Sequence, residues 1–175
     1  MPLRMIVDQF ILRNSLLSRA WAQPDISSGV AHTLPESRGG EMPSKNGFGQ
    51  VRSMAYAYSV FAGGGKELGL RPETIAALSA PVIVPRKGSY DLVLHMQVAY
   101  SLGFYRPCPA VRFSLNDRAY GSPGFGGSIG FADPELELGY AYAPNLLILG
   151  QGKDPREIAL RKALYECMKA EKPVA

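Results

Sequence analysis

The sequence has few of the residues that build most metal sites. Two histidines, His32 and His95, and two cysteines, Cys108 and Cys167, occur among 175 residues. Neither histidine has a cluster of carboxylates beside it, and the cysteines lie outside any metal-ligand spacing, so we expect no metal and no cofactor. The cysteines are expected to be free thiols in a reducing compartment, with a disulfide between them as the alternative.

Long apolar runs and blocks of like charge are also missing. No segment of the sequence approaches the roughly 18 apolar residues of a membrane-spanning helix. The net charge of +4 arises from 19 basic and 15 acidic residues that are interspersed, so nucleic acid is not expected as a partner. Near the N-terminus, Asp8 and Arg13 interrupt the apolar segment, which favours an amphipathic helix from Ile6 to Leu17 over a signal peptide and predicts a cytoplasmic protein.

Length and composition favour one domain. With 46% apolar residues, the chain can bury a core of its own, but it is too short for two ordinary domains. We therefore assign residues 1–175 to a single domain. Residues 22–45 are rich in Pro, Ser and Gly and are expected to form a loop, in which His32 is either exposed or in contact with a substrate.

Two helices are predicted in the first half of the chain. Apolar residues recur at helical spacing from Gly47 to Ala62, and the glycines Gly63–Gly65 end this helix. A phosphate loop at these glycines would need a preceding strand and a following Gly-Lys-Ser/Thr, which the sequence lacks. A second helix is predicted to begin at Pro72 and to end near Ser79.

The last helix, residues 154–169, is predicted from the residues at its start. Asp154 is the expected N-cap, Pro155 takes the first helical position, and Glu157 is placed to complete a capping box. An apolar stripe is expected to pack on a sheet, with Cys167 buried in it. The stripe consists of Leu160, Ala163, Leu164, Cys167 and Met168.

Residues 89–145 are expected to supply the strands of that sheet. Alternation of apolar and polar residues predicts one strand from Asp91 to Phe104, in which His95 is a packed or half-exposed residue rather than a general base. A shorter strand is predicted at Val111–Leu115.

A glycine-rich stretch leads into the last two predicted strands. Glycine lets a backbone adopt positive φ or approach a ligand closely, so this stretch predicts a strand edge that faces a ligand. Ile129–Ala132 and Leu136–Ala143 then form a hairpin around the turn Asp133–Glu135. The glycines are Gly121, Gly124, Gly126, Gly127 and Gly130.

The run Gly-Ser-Pro-Gly-Phe-Gly-Gly-Ser-Ile-Gly-Phe-Ala-Asp-Pro-Glu, residues 121–135, resembles the third active-site element of the serine β-lactamase superfamily. The branch that it is most similar to contains class C-like esterases and D-Ala-D-Ala carboxypeptidases. Residues 41–65 and 154–165 are also similar to segments of that branch. The resemblance implies an α+β fold in which an antiparallel sheet is flanked by helices, the C-terminal portion of a β-lactamase/transpeptidase-like domain. It also implies that the domain is truncated and that residues 22–45 belong to the loops that roof the cleft.

The resemblance also assigns site residues. It implies that Ser122, Pro123 and Gly124 form the third element, with serine where the family has His or Lys, and that the backbone N–H of Phe125 lies in the oxyanion hole. The family's Ser-x-x-Lys occurs nowhere in the sequence, so no catalytic residue is assigned with certainty. Two Ser-x-Asn strings are interpreted as coincidental, because neither lies where the family places that element; they are Ser44–Asn46 and Ser114–Asn116.

The function implied by the resemblance is acyl transfer on ester or amide substrates by a serine hydrolase, of which this chain is a part that is inactive alone. A non-catalytic binding or regulatory domain that keeps the cleft is the alternative. A third interpretation is an esterase that uses an unrecognised serine with His32 or His95. The expected partners are a small-molecule or peptide-like acyl substrate, once an N-terminal half is supplied, and a second polypeptide at the strand of residues 136–143, through self-association or complementation.

Overall fold

The computed structural model describes residues 4, 7–8, 11–12, 14–21, 35, 39, 41, 47–148 and 152–171. The chain divides into two compact units. One unit comprises residues 1–50 with 90–96, and the other comprises residues 51–89 with 97–175. His32, the Ser44–Asn46 string and most of the predicted loop 22–45 lie outside the described residues.

The described residues form four α-helices, two 3-10 turns and seven strands. The helices are α1 (Leu16–Trp21), α2 (Val51–Ala62), α3 (Pro72–Ser79) and α4 (Pro155–Glu171), with 3-10 turns at Lys66–Leu68 and Phe125–Gly127. The strands are β1 (Tyr90–Asp91), β2 (Met96–Gln97), β3 (Tyr100–Ser101), β4 (Phe104–Tyr105), β5 (Tyr120–Pro123), β6 (Ile129–Asp133) and β7 (Leu138–Tyr142).

Five of these strands form one antiparallel sheet in the order β3-β4-β5-β6-β7. Each strand is paired with the next in sequence, with Ser122 opposite Gly130 and Phe131 opposite Tyr140. Helix α2 packs on one face of β6 and β7, and α4 contributes Tyr165, which binds Asp133 on the other face. The predicted α+β fold with an antiparallel sheet and flanking helices is confirmed.

Two glycines let α2 lie unusually close to the sheet. A Cβ at Gly139 would overlap backbone atoms of Ser59 and Ala55, and a Cβ at Gly130 would overlap the ring of Tyr58. Because neither glycine has a side chain, the helix backbone rests almost directly on β7. A small apolar core continues from this contact, formed by Ala62, Leu78, Tyr120 and Ala132.

The predicted strand from Asp91 to Phe104 is wrong. Two turns divide it, at His95 (φ 51°) and at Leu102 (φ 49°). The Asp91 carboxylate accepts the N–H groups of Val93 and Leu94, both at 2.8 Å, and such local bonds compete with a strand ladder. Leu102 and the following glycine form a two-residue hairpin loop with positive φ at both positions, as a type I′ turn requires.

Two further strand predictions need correction. Val111–Leu115 is not a strand, and only an isolated bridge links Val111 to Cys108. Instead, residues Tyr120–Pro123, where the glycines predict a strand edge but no strand is delimited, form a strand that pairs with β6. At the N-terminus, Leu12 is not helical, so the predicted continuous helix from Ile6 to Leu17 is wrong as well.

Helix α4 buries polar residues rather than the predicted apolar stripe. Glu157 is fully buried, while Leu160 is 58% exposed and Cys167 is exposed as well. Arg161 donates to Glu157 from Nε to Oε1 at 2.7 Å and from Nη2 to Oε2 at 3.2 Å. Glu157 therefore forms a buried ion pair within the helix, and Asp154 caps the helix through its own bond to the Arg156 N–H at 2.9 Å.

A buried arginine holds α3 against the start of β5. Arg106 is 2% exposed, and its guanidinium donates to backbone carbonyl groups. The acceptors are Leu78 O, Ser79 O, Ala80 O, Asp117 O and Ala119 O, at 2.6 to 3.3 Å. Three of them lie at or just beyond the C-terminus of α3, where carbonyl groups lack helical partners and the helix dipole favours a cation.

Replacement of Arg106 tests this interpretation. We expect Arg106→Gln to lower the free energy of unfolding by about 3 kcal/mol, because several buried carbonyl groups lose their donors. Urea denaturation followed by circular dichroism measures the loss. The control is Arg112→Gln, since the Arg112 side chain is 53% exposed and lies 3.7 Å from Asp117, an ion pair of the kind that contributes about 0.5 kcal/mol. Equal losses in the two variants would contradict the structural role of Arg106.

Candidate active-site edge

The residues of the predicted third element lie where β5 loses one of its neighbours. Strand β4 pairs with β5 only at Gly121, opposite Tyr105, whereas β6 continues alongside to Pro123. Ser122 is exposed, and Pro123 is buried. Because β4 does not extend along Ser122 and Pro123, no described strand pairs with this side of β5, which we call its open side, and proline's missing N–H costs the sheet no bond there.

A tight glycine-rich turn follows the open edge. The Gly124 N–H donates to Ser128 O at 2.7 Å, and a Cβ at Gly124 would overlap the Ser128 hydroxyl. Gly126 and Gly127 have φ of 81° and 101°, which side chains disfavour. The Phe125 N–H is the first amide of the 3-10 turn, and such amides have no partner inside their own turn. The backbone can therefore present a donor at the predicted position.

The segment that precedes α4, together with the first residues of that helix, holds this turn in place. The Ile148 N–H donates to Gly126 O at 3.0 Å, and the Leu147 side chain lies against Gly126. Arg156 donates to Leu146 O at 2.7 Å and to both carboxylate oxygens of Asp154, at 2.9 and 2.7 Å. Hydrogen bonding from Arg156 lowers the pKa of Asp154. The turn is thus connected by backbone and ionic contacts to the N-cap of the last helix.

A buried carboxylate organises the far end of β6. Asp133 Oδ2 accepts from Ser114 Oγ at 3.0 Å and from the Tyr165 hydroxyl at 2.6 Å. The Asn116 amide donates to both Asp133 oxygens at 2.7 Å. The Glu135 N–H donates to Oδ1 at 3.2 Å, which is the turn bond expected of Asp in this position. The Ser114–Asn116 string therefore has a structural contact that no local sequence pattern predicts.

His95 is packed in the other unit, against Asp8. Its Nε2 lies 2.5 Å from Asp8 Oδ2, and its side chain is 12% exposed. The hydroxyls of Ser15 and Ser18 donate to the Asp8 carbonyl oxygen and not to the imidazole. The imidazole is therefore held by a carboxylate, and neither neighbouring serine is aligned with it as a nucleophile.

No group of three or more His, Cys, Asp and Glu side chains that could hold a metal occurs among the residues that the structure describes. Within the same residues, no helix combines the length and apolar character that crossing a membrane requires. Cys108, which is half-buried, and Cys167 are both free.

Sequence reasoning overlooked the buried polar residues that hold the site in place. Arg106 anchors the segment before β5, and Asp133 and Tyr165 anchor β6 to α4. For Asp133, the Asp-Pro pair at residues 133–134 is a sequence signal that indicates a turn. Nothing in the local sequence distinguishes Arg106 or Tyr165, because their partners are distant along the chain.

The buried tyrosine gives a pH-dependent prediction. Burial and the hydrogen bond to Asp133 raise the pKa of Tyr165 above its ordinary value of about 10. The folded protein therefore holds this proton more tightly than the unfolded chain, so the stability it contributes is full below pH 10 and is lost as the pH rises above that value. We expect Tyr165→Phe to show a shallower decline in unfolding free energy above pH 10, measured by urea denaturation at several pH values.

The control for that measurement is Ser53→Ala, because Ser53 is exposed and its side chain does not titrate in this range. Its pH dependence should follow that of the unmodified protein. If the unfolding free energies of Tyr165→Phe and of the unmodified protein fall equally above pH 10, the pKa of Tyr165 is not raised by folding.

No family model matches the sequence, and no curated protein matches it. Solved structures do match. A family VIII carboxylesterase is 31% identical over 86% of this chain and 40% of its own, with a TM-score of 0.73. A penicillin-binding protein homolog from Caulobacter crescentus is 31% identical over 76% of this chain and 36% of its own, with a TM-score of 0.67.

EstA from Arthrobacter nitroguajacolicus Rue61a also matches, at 29% identity over 69% of this chain and 32% of its own, with a TM-score of 0.57. All three proteins have the serine β-lactamase fold. This chain spans well under half the length of each of them. Its helices and antiparallel sheet correspond to part of a β-lactamase-fold domain.

Proposed function

We propose that this chain supplies one wall of the acyl-binding cleft of a β-lactamase-related serine hydrolase of the class C-like esterase and carboxypeptidase branch. The observation that carries the proposal is the open side of β5 at Ser122 and Pro123, which is followed directly by the Phe125 amide. The likeness to a carboxylesterase and to a penicillin-binding protein homolog supports the β-lactamase-related fold on which the proposal rests.

In this proposal, an ester or amide lies along the open side of β5. The Phe125 N–H donates to the substrate carbonyl oxygen, where negative charge develops during attack by a nucleophile. One well-placed donor of this kind contributes about 10²- to 10³-fold in rate. The turn that carries the donor is fixed by the Gly124 and Ile148 backbone bonds, so little reorganisation is needed when the charge appears.

The nucleophile has to come from residues outside this sequence. Serine is activated in this chemistry by a lysine one helical turn away, and no Ser-x-x-Lys occurs among the 175 residues. Ser122 stands where the resembled family has His or Lys. Its hydroxyl can donate or accept a hydrogen bond but carries no positive charge, so proton transfer and carboxylate binding lose one contributor.

A non-catalytic binding domain is the second candidate, and the missing Ser-x-x-Lys favours it. Such a domain would keep the open strand edge for a peptide or another partner and would need no nucleophile. Peptide binding that shifts the amide signals of Ser122 to Phe125, without turnover under any condition, would select this candidate over the hydrolase.

The first functional prediction concerns the chain alone. We expect no hydrolysis of p-nitrophenyl acetate or nitrocefin above a buffer control, because an oxyanion donor without a nucleophile gives little rate. Absorbance assays on repurified protein provide the measurement. Saturable turnover that disappears when one serine of this chain is replaced would contradict the proposal that the nucleophile lies outside this sequence.

The second functional prediction concerns Ser122. A polypeptide covering the part of the carboxylesterase domain that this chain does not match can be added to supply a Ser-x-x-Lys. If turnover appears, Ser122→His should raise kcat/KM about tenfold or more, since it restores a group that can carry charge beside the reacting proton. The control is Ser53→His at an exposed position of α2, which should leave kcat/KM unchanged. A lower value for a well-folded Ser122→His variant would contradict the assigned role.

A further inference from the structure

The backbone around the Phe125 amide is rich in glycine, with Gly124 before it and Gly126 and Gly127 after it. Gly126 and Gly127 have positive φ, a region that glycine enters about as readily as the opposite one. The sequence of the turn therefore does little to fix the direction of the Phe125 N–H. An oxyanion donor has to hold its direction before charge develops, so contacts from outside the turn have to supply the rigidity.

Those contacts come from the segment that precedes α4 and from the N-cap of that helix. The Ile148 N–H donates to Gly126 O at 3.0 Å, and the Leu147 side chain lies against Gly126. A Cβ at Gly127 would lie 3.1 Å from Ile148 Cγ1 and 3.3 Å from Asp154 Oδ2. Gly126 and Gly127 are both buried, and these three neighbours are among the residues that cover them.

Residues 146–148 have little apolar burial of their own to hold them in place. Leu146 and Leu147 are 68% and 60% exposed, and Ile148 is half-buried. A segment with few buried apolar contacts opens easily unless polar bonds hold it. Besides the Ile148 N–H bond to the turn, Arg156 Nη2 donates to Leu146 O at 2.7 Å. The position of this segment therefore depends on hydrogen bonds.

Arg156 connects this segment to the N-cap of α4. Its Nε donates to Asp154 Oδ1 at 2.9 Å, and its Nη2 donates to Asp154 Oδ2 at 2.7 Å as well as to Leu146 O. We propose that Arg156 is a positioning residue for the oxyanion donor, because it fixes residues 146–148 and these fix the turn that carries the Phe125 N–H. The inference rests on the proposed function, in which this N–H faces the substrate carbonyl.

A direct contact with a substrate carboxylate is the alternative role for Arg156, since its side chain is 40% exposed. Its charge, however, is paired with the buried carboxylate of Asp154 in a two-bond contact, so it is not a free cation of the kind that binds such a substrate. A lysine would keep the charge, but it has no planar fork that reaches both Asp154 oxygens and Leu146 O together. The two roles therefore predict different behaviour for Arg156→Lys.

Removal of the Arg156 side chain leaves the cap of α4 in place. The backbone N–H of residue 156 donates to Asp154 Oδ1 at 2.9 Å, and the Ile158 N–H donates to Asp154 O at 2.9 Å. Neither bond uses the guanidinium. Variants at this position should therefore fold, with α4 beginning at the same residue.

Backbone NMR of the chain alone tests the positioning and needs no nucleophile. In Arg156→Met, we expect the Ile148 amide to exchange about tenfold faster or more, because the segment opens more easily. The order parameter of the Phe125 amide should fall, while the Phe131 amide in β6 should be unchanged. If the Ile148 and Phe125 amides of the folded variant behave as in the unmodified chain, the proposal is overturned.

The control is Lys162→Met, which removes a positive charge from the same helix. The Lys162 side chain is 76% exposed and lies 3.8 Å from Glu166, so its loss should leave the turn and the segment before α4 unchanged. Thermal melts followed by circular dichroism establish that each variant is folded.

Kinetics of the enzyme completed with a Ser-x-x-Lys polypeptide test the role in catalysis. Arg156→Met should lower kcat about tenfold or more and leave KM within about twofold, because the donor acts on charge that develops in the transition state. Arg156→Lys should lose almost as much, and Lys162→Met should lose nothing. A raised KM with unchanged kcat, or full activity of Arg156→Lys, would assign Arg156 to the charge of the substrate and overturn the proposal.

The two measurements separate this inference from the proposed function. If no completed enzyme turns over, the proposed hydrolase is wrong, and the amide measurements on the chain alone still decide whether Arg156 fixes the Phe125 N–H. If turnover appears and kcat is unaffected by Arg156→Met, the hydrolase stands and the positioning role is wrong.

Discussion

The carboxylate of Asp133 is the group on which the packing of the larger unit most depends. It is fully buried and binds the side chains of Ser114, Asn116 and Tyr165. A buried carboxylate is costly unless its lone pairs are occupied, so these partners have to be present for the charge to stay inside. The Asp133 carboxylate therefore connects three elements: the end of β6, the segment before β5 and the last helix.

A second buried charge constrains the strand that carries the candidate site. Arg106 binds Asp117 O and Ala119 O immediately before β5, together with carbonyl groups at the end of α3. Strand β5 is thus fixed at its start by Arg106 and at its end by the Gly124 bond to Ser128. Rigid support on both sides is what an oxyanion donor needs, because its orientation must exist before charge develops.

The sequence predicted more of the candidate site than of the packing around that site. Its glycines and the order Ser122-Pro123-Gly124 are local features, and the turn at Asp133 forms the bond that its residue types predict. The open side of β5 could not be predicted, since it depends on β4 ending opposite Gly121. The strand predicted from Asp91 to Phe104 is wrong because the alternation of apolar and polar residues does not reveal that the Asp91 side chain accepts a hydrogen bond from the turn that follows it.

Local physics determined which helices and turns the chain forms. Pro72 and Asp154 start helices through their own backbone geometry and hydrogen bonds, and these effects act within a few residues. Tertiary structure decided which face of α4 is buried. Hydrophobicity predicts Leu160 at that position, yet Glu157 lies there instead, paired with Arg161. An ion pair such as Glu157–Arg161 can be buried only when both charged groups have hydrogen-bond partners. The surface that buries it is formed by segments that are distant along the chain, so it exists only in the folded protein.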